Sequence, residues 1–337
     1  MEEAYHNIES KHIKAEAMRL GFAACGVARA DAVDEETATR FRQWLAEGNH
    51  AEMHYMENHL EKRLDPRLLL EGAKTIVCVA LNYTPAKRLP EGEYQLADYA
   101  LGQDYHDLMR QKLHQLATAI LSSLDGGGLE GGGPPYRAFV DSAPVLERYW
   151  AVRAGLGWIG RNHQLIIPSP TMGGTRFFLG ELLLCQEMDE YDKPMRNHCG
   201  KCQRCIEACP TGAISKVNPT SSAANRNEMP PYSMFSAEKC LSYQTIENRG
   251  SLSQQAIACM GDTIYGCDRC QQVCPWNRFA QPTNEPLLQP REELLAMTRE
   301  EWQQLAPETY RRLFKGSAVK RAKYEGLMRN IQAASER

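Results

Sequence analysis

The chain has 337 residues, a length that suggests two domains or one domain with a substantial insert. With 43% hydrophobic and 24% charged residues it can bury a sizeable core, which excludes a disordered chain. Its 39 Lys and Arg against 42 Asp and Glu give a net charge of −3, so the whole molecule is not a basic nucleic-acid binder.

The opening stretch, residues 1–14, carries neither a basic n-region nor an apolar h-region, so no signal peptide is expected. Helical periodicity runs from about Ser10 to Leu20 and stops at Gly21; GFAACGVAR then reads as a short buried strand. Ala38–Glu47 reads as a helix, Thr75–Tyr83 as a strong strand and Gln103–Leu124 as a long amphipathic helix. Asp125–Gly133 holds six glycines and precedes Pro134 and Pro135, which predicts a flexible linker with no chemical role. Beyond it, YRAFVDS reads as a strand, Val145–Gly155 as a helix, and Gln164–Pro168 and Arg176–Cys185 as strands. The alternation of strand and helix signals predicts an α/β domain over residues 1–190. Apolar runs such as Ile76–Leu81 and Phe177–Cys185 fall far short of the ~18 residues of a membrane span, so the expectation is a soluble, cytoplasmic protein with no membrane partner.

Nine of the twelve cysteines lie between Cys199 and Cys274. Without a secretion signal, thiols concentrated this way point to metal rather than to disulfides. The first run is Cys199-x2-Cys202-x2-Cys205-x3-Cys209-Pro210; two-residue gaps let three thiolates converge on one cluster, while the fourth serves another. The second, Cys267-x2-Cys270-x3-Cys274-Pro275, has Ile264 where its first cysteine would stand. Pseudo-twofold logic gives one [4Fe–4S] cluster to Cys199, Cys202, Cys205 and Cys274, and another to Cys209, Cys267, Cys270 and either Cys240 or Cys259. Paired CxxC motifs also bind zinc, but zinc has no use for two x3-Cys-Pro endings. The polar stretch Asn218–Tyr232 reads as an exposed insert between the runs.

Other signals are weaker. Gly155-Leu-Gly157-Trp-Ile-Gly160 has dinucleotide spacing but follows a helix and precedes a strand, the reverse of a Rossmann turn; its glycines leave room for backbone to approach a large flat ligand. Asp141 or Ser142 reads locally as an N-cap for a helix opening near Pro144. His106 and His163 are the histidines in suggestive surroundings. Tyr310–Arg329 has seven Lys and Arg against Glu325, a basic helical segment that is either solvated or a phosphate contact.

Together, EKRLDPR (61–67), YALGQDYH (99–106), FVDSAPVLER (139–148), AGLGWIG (154–160), FFLGELL (177–183), KCLSYQTIE (239–247), IYGCDRCQQVCPWNRF (264–279) and GSAVKR (316–321), with the first cysteine run, resemble the epoxyqueuosine reductases over residues 10–331. The resemblance implies an N-terminal cobalamin-binding α/β domain of reductive-dehalogenase type (1–190). A ferredoxin-like domain with two [4Fe–4S] clusters (191–285) and a short basic helical tail (286–337) would follow. It makes Cys240 the remote ligand, Asp141 the catalytic proton donor, and Arg63, Tyr105, His106, Ser142, Gly157 and Tyr243 candidates for the cobalamin site. It implies reduction of epoxyqueuosine to queuosine on tRNA by a cytoplasmic monomer served by an external low-potential electron donor. Longer members of that family continue into a helical-repeat extension beyond the stretch that matches this chain.

The chemistry fits this set. Leaving an alkene from an epoxide takes two electrons, a strong nucleophile or radical source and a proton for the oxygen, which cobalamin, clusters and Asp141 would supply; a water-poor pocket would raise the Asp141 pKa. A substrate base splayed from the anticodon loop and phosphates held by Tyr310–Arg329 would complete the interface. The competing readings are a small-molecule reductase with the same cofactors, a corrin-free electron-transfer protein, and an RNA binder with structural clusters.

Overall fold

A computed structural model describes residues 9–122, 136–215 and 235–336. The glycine-rich linker and the insert Asn218–Tyr232 lie outside the described residues. The N-terminal half runs α1 (Ser10–Arg19), β1 (Ala24–Arg29), α2 (Glu35–Ala46), α3 (Leu60–Leu64), β2 (Thr75–Asn82), β3 (Gln95–Leu96), α4 (Tyr105–Ser122), β4 (Tyr136–Phe139), α5 (Glu147–Arg153), β5 (Trp158–Ile159), β6 (Leu165–Ile166) and β7 (Phe177–Leu184). Its centre is a four-stranded sheet in the order β1-β2-β7-β4. Every neighbouring pair is antiparallel. The chain reverses between β1 and β2 and again around the β5–β6 hairpin, so adjacent strands meet through long-range pairings that no local pattern encodes.

All eight residues of β2 are buried because helices cover both faces of the sheet. Ile76, Cys78 and Ala80 point to the layer holding α5, whereas Val77, Val79 and Leu81 point to α1 and α4. Each buried branched side chain here stabilises by about 1.5–3 kcal/mol. The same period of two turns Glu181 of β7, paired with Cys78 and Phe139, toward the α5 layer.

The C-terminal half contains α6 (Arg204–Glu207), α7 (Leu241–Ile246), α8 (Gln254–Met260), β8 (Thr263–Tyr265), α9 (Arg269–Gln272), α10 (Glu292–Leu295), α11 (Arg299–Gln303), α12 (Pro307–Leu313) and α13 (Lys323–Ser335). Its core takes Leu89, Tyr94, Leu96 and Leu101 from the excursion between β2 and α4, and β3 pairs in parallel with β8. The N-terminal half therefore lends a segment across the boundary expected at residue 190. Residues 286–337 are likewise no appended tail: Trp302, Phe314, Leu327 and Ile331 lie in that same core. Nor is Tyr310–Arg329 one helix. Gly316 (φ +64) and Ser317, whose hydroxyl accepts from Val319 N–H, separate α12 from a 3-10 turn at Ala318–Ala322, and α13 follows.

One buried polar knot ties the halves together. Asp98, 4% exposed, receives Arg88 through both oxygens at 2.9 Å and Arg176 Nε at 2.8 Å. Its backbone N–H donates to Asp268, between two cysteines of the second run, at 2.6 Å. Burial, and then the Asp98 charge, push the Asp268 carboxyl up to about 6.

Candidate active site

The eight motif cysteines gather in two neighbouring groups. Cys205 lies within electrostatic range of Cys199, Cys274 and Cys202. Cys270 lies among Cys267 and Cys240, with Cys205 of the first group behind them, and Cys240 faces Cys209. Short helices make this possible: α6 and α9 begin one residue before Cys205 and Cys270, and Cys240 and Cys274 stand at the starts of α7 and the Pro275–Phe279 turn. Asn197 fixes the first loop by accepting from Cys199 N–H and donating to the Ile159 carbonyl of β5, both at 2.9 Å. Trp158, His198 and Trp276 pack beside it. The Cys259 thiol donates to the Pro210 carbonyl at 3.3 Å.

A separate acid–base site, open to solvent at Asp141, forms where the start of α4 meets the loop after β4. Asp141 occupies the loop between β4 and α5 with φ +53, a left-handed conformation that Asp tolerates better than most residues and that concentrates at functional sites. Its Oδ2 accepts from Tyr105 OH at 2.9 Å and lies 3.6 Å from His106 Nε2. The other ring nitrogen of His106 meets Asp104 at 2.6 Å. Held by Asp104 and then by Asp141, the His106 imidazole is raised to about 9 and is charged at neutral pH. The His106 contact, helped by Tyr105, in turn draws the Asp141 carboxyl below its ordinary value despite the opposing effect of burial. The expectation of a raised Asp141 pKa is thus reversed, because charged and hydroxyl donors outweigh desolvation. The capping expectation also fails: Leu146 is the N-cap of α5 and makes no side-chain cap.

The other candidates divide. Arg63, 7% exposed, donates to the Tyr55 carbonyl at 3.2 Å, while its Nε is buried without a partner. Ser142 is exposed beside Asp141. Tyr243 is buried and its hydroxyl is taken up by Glu52 N–H at 3.1 Å. Gly157 serves its own hairpin: a Cβ there would fall on the Ile166 carbonyl, so its missing side chain makes room for β6 rather than for a flat ligand. Of the basic segment, Arg329 is absorbed by the carbonyls of Gln244, Asn248 and Gly250, whereas Lys315, Lys320 and Lys323 are exposed.

Three further residues belong to this region without having been candidates for it on sequence. Arg321 grips Glu247 through two 2.8 Å bonds, sits 5.7 Å from the Tyr55 ring and faces Asp141. Glu147 and Glu181 lie behind Asp141. Glu147 is legible only as part of VLER, and Glu181 only as one charge in the otherwise apolar FFLGELLL.

Two four-cysteine groups, in a chain that also sets a charged imidazole against a carboxylate, define an iron–sulfur oxidoreductase. The comparisons make that class specific. Residues 63–142 match the family model "Epoxyqueuosine reductase QueG, DUF1730", and residues 198–277 match "4Fe-4S double cluster binding domain". The chain is 43% identical over 328 residues to the epoxyqueuosine reductase of Cellulophaga algicola, covering 96% of this chain and 98% of that one. With the Escherichia coli epoxyqueuosine reductase it shares 37% identity, covering 96% of this chain and 80% of that one. A crystal structure of epoxyqueuosine reductase with an epoxyqueuosine-modified tRNA-Tyr stem loop superposes with a TM-score of 0.79 at 27% identity, over 96% of this chain and 80% of that one. The Bacillus subtilis enzyme, seen with an aspartate catalytic loop swung out of its active site, superposes at 0.78 with 26% identity, over the same shares. The chain belongs to the epoxyqueuosine reductase family.

Proposed function

We propose that this protein reduces epoxyqueuosine to queuosine in the anticodon loop of tRNA, using two [4Fe–4S] clusters and cobalamin. The observation that carries the reading is the Asp104–His106–Asp141 chain together with two four-cysteine groups, in a protein 43% identical along nearly its whole length to an epoxyqueuosine reductase. Cys199, Cys202, Cys205 and Cys274 would hold one cluster, and Cys209, Cys240, Cys267 and Cys270 the other. Four thiols per group is the donor set such clusters require. Cobalamin fits this site on one specific ground, the Nε of Arg63, a buried donor that meets no acceptor among the described residues. Arg63 and Ser142 would hold it, with Tyr55 alongside.

When bound, the clusters supply single electrons and cobalamin a low-valent cobalt nucleophile. The protein's own part is the proton. Converting an epoxide to an alkene and water consumes two electrons and two protons. His106 carries the first proton at neutral pH, and Asp141 passes it to the departing oxygen, with the Tyr105 hydroxyl fixing the direction of the carboxylate. Asp141 is therefore a conduit fed by His106 rather than a resident acid. The strained φ of Asp141 suits a loop that docks and releases, as the swung-out loop of the Bacillus subtilis relative illustrates.

Exposed Lys315, Lys320 and Lys323 would meet tRNA phosphates, and the base would have to leave the loop stack to reach the site. We infer an external low-potential electron donor, a monomer and a cytoplasmic site of action, where tRNA is modified. Among the described residues no helix is long and apolar enough to cross a membrane. The test is anaerobic turnover of epoxyqueuosine-bearing tRNA by the protein reconstituted with clusters and cobalamin, read as loss of one oxygen from the nucleoside. No loss of oxygen with both cofactors bound would favour a small-molecule substrate.

A further inference from the structure

The reaction consumes two protons, and His106 accounts for one. The fold holds a second reserve. Glu181 is 0% exposed, and among the described residues neither of its carboxyl oxygens has a hydrogen-bond partner. Its nearest charged neighbours are two further carboxyls, those of Glu147 and Asp141. Buried carboxyls this close repel when both are ionised, and with burial acting on each, both Glu147 and Glu181 hold their protons at neutral pH. On its other side Glu147 Oε1 accepts the backbone N–H of Asp141 at 2.6 Å. The pair thus reaches from the middle of the sheet to the catalytic loop.

Resting on the activity proposed above, we infer that Glu147 and Glu181 form an internal proton store that recharges Asp141 for the second protonation. In the step, the O–H bond of Glu147 breaks and an O–H bond forms on Asp141, which has given its first proton to the substrate oxygen. The proton of Glu181 then moves into the Glu147–Glu181 contact and is shared by the two oxygens, so one negative charge remains on the pair. Solvent refills the store through the open site once product leaves.

The surroundings are consistent with this role. Glu147 is faced by Asp141 and Arg148 from its own segment, by Tyr105 and His106 from α4 and by Arg63 from α3; Cys78 of β2 faces both carboxyls. Burial, followed by the Asp141 charge, pushes Glu147 up to about 8, and burial with the Glu147 contact raises Glu181 further. Arg148 and His106 partly oppose the shift of Glu147 without reversing it. A structural carboxyl pair would need no link to the site, whereas Glu147 is tied directly to the residue that spends protons.

The test uses Glu147→Gln and Glu181→Gln in the reconstituted enzyme. The glutamine at position 147 keeps an oxygen for Asp141 N–H, so the loop anchor survives while the transferable proton is lost. Infrared difference spectra of wild type should show a protonated-carboxyl C=O band at neutral pH that titrates near pH 8 and vanishes in E147Q. Single-turnover oxygen loss should slow about 100-fold in E147Q, with the alkaline limb near pH 8 gone from its pH profile. E181Q should keep the first turnover and slow the refilling of the store. Absence of the band in wild type would overturn the proposal, as would E147Q with the wild-type rate and pH profile. The two readings fail separately: wild type unable to remove the oxygen defeats the activity, whereas active wild type beside an unaffected E147Q defeats the store.

Discussion

Replacing Asp98 with Asn removes a charge while keeping the volume, and so isolates the electrostatic knot between the halves. Arg176 is 7% exposed at its side chain and pairs with a 5% exposed Asp98; Arg88 is 49% exposed. The Arg88 share, screened by solvent, is at most about 1 kcal/mol. Losing the partner of a buried guanidinium costs about 3–5 kcal/mol, because that charge stays desolvated. At the lower end this is about 3 kcal/mol, or roughly 100-fold in the folding equilibrium. Because Asp98 N–H also holds Asp268 between Cys267 and Cys270, weakening the knot should loosen the second cysteine group before the first. The assay is anaerobic urea unfolding of cluster-loaded protein, comparing midpoints at constant m, with D98N, R88Q, R176M and the D98N/R176M pair. The double variant should recover much of the loss because no buried charge is left alone. A D98N loss below about 1 kcal/mol, or a double variant as weak as the sum of the singles, would refute the reasoning.

Three further outcomes follow from the site. Asp141→Asn should retain both clusters and lose about 100-fold or more in turnover, checked by iron content beside nucleoside mass. His106 is raised from its ordinary 6.5 to about 9, so the stability its contacts contribute is complete below about pH 6.5 and is lost as pH rises through 9. Turnover should also fall as pH rises through 9, and H106Q should remove that limb from the pH–rate profile while leaving the one near pH 8. Cys240→Ser should lower iron and cluster absorbance to about one cluster while Cys259→Ser leaves both unchanged; equal losses would contradict the grouping around Cys240.

Legibility followed the range of the interactions. The cysteine grouping could be read because loop spacing alone brings three thiols together, and Asp141 stood out within VDSAPVLER. The antiparallel sheet could not, because β2 meets β7 about a hundred residues later in the chain. Nor could the loan of Leu89–Leu101 to the C-terminal core, since its apolar residues satisfy either domain equally well. Gly157 misled through its spacing: close approach requires glycine, but the approaching group is the Ile166 carbonyl. The protonation logic was least visible. It depends on which donors surround each carboxyl, and residues as distant as Asp104, Tyr105 and Glu181 meet around Asp141 and Glu147 only after folding. A basic composition at Tyr310–Arg329 likewise concealed that Arg321 and Arg329 are held by the protein itself.

Anaerobic turnover with clusters, cobalamin, a low-potential reductant and epoxyqueuosine-bearing tRNA tests the central claim most directly. The account predicts a nucleoside lighter by one oxygen, dependent on added cobalamin, with the product's carbon–carbon double bond restored. An unchanged nucleoside mass, from protein carrying both clusters and bound cobalamin, would contradict it.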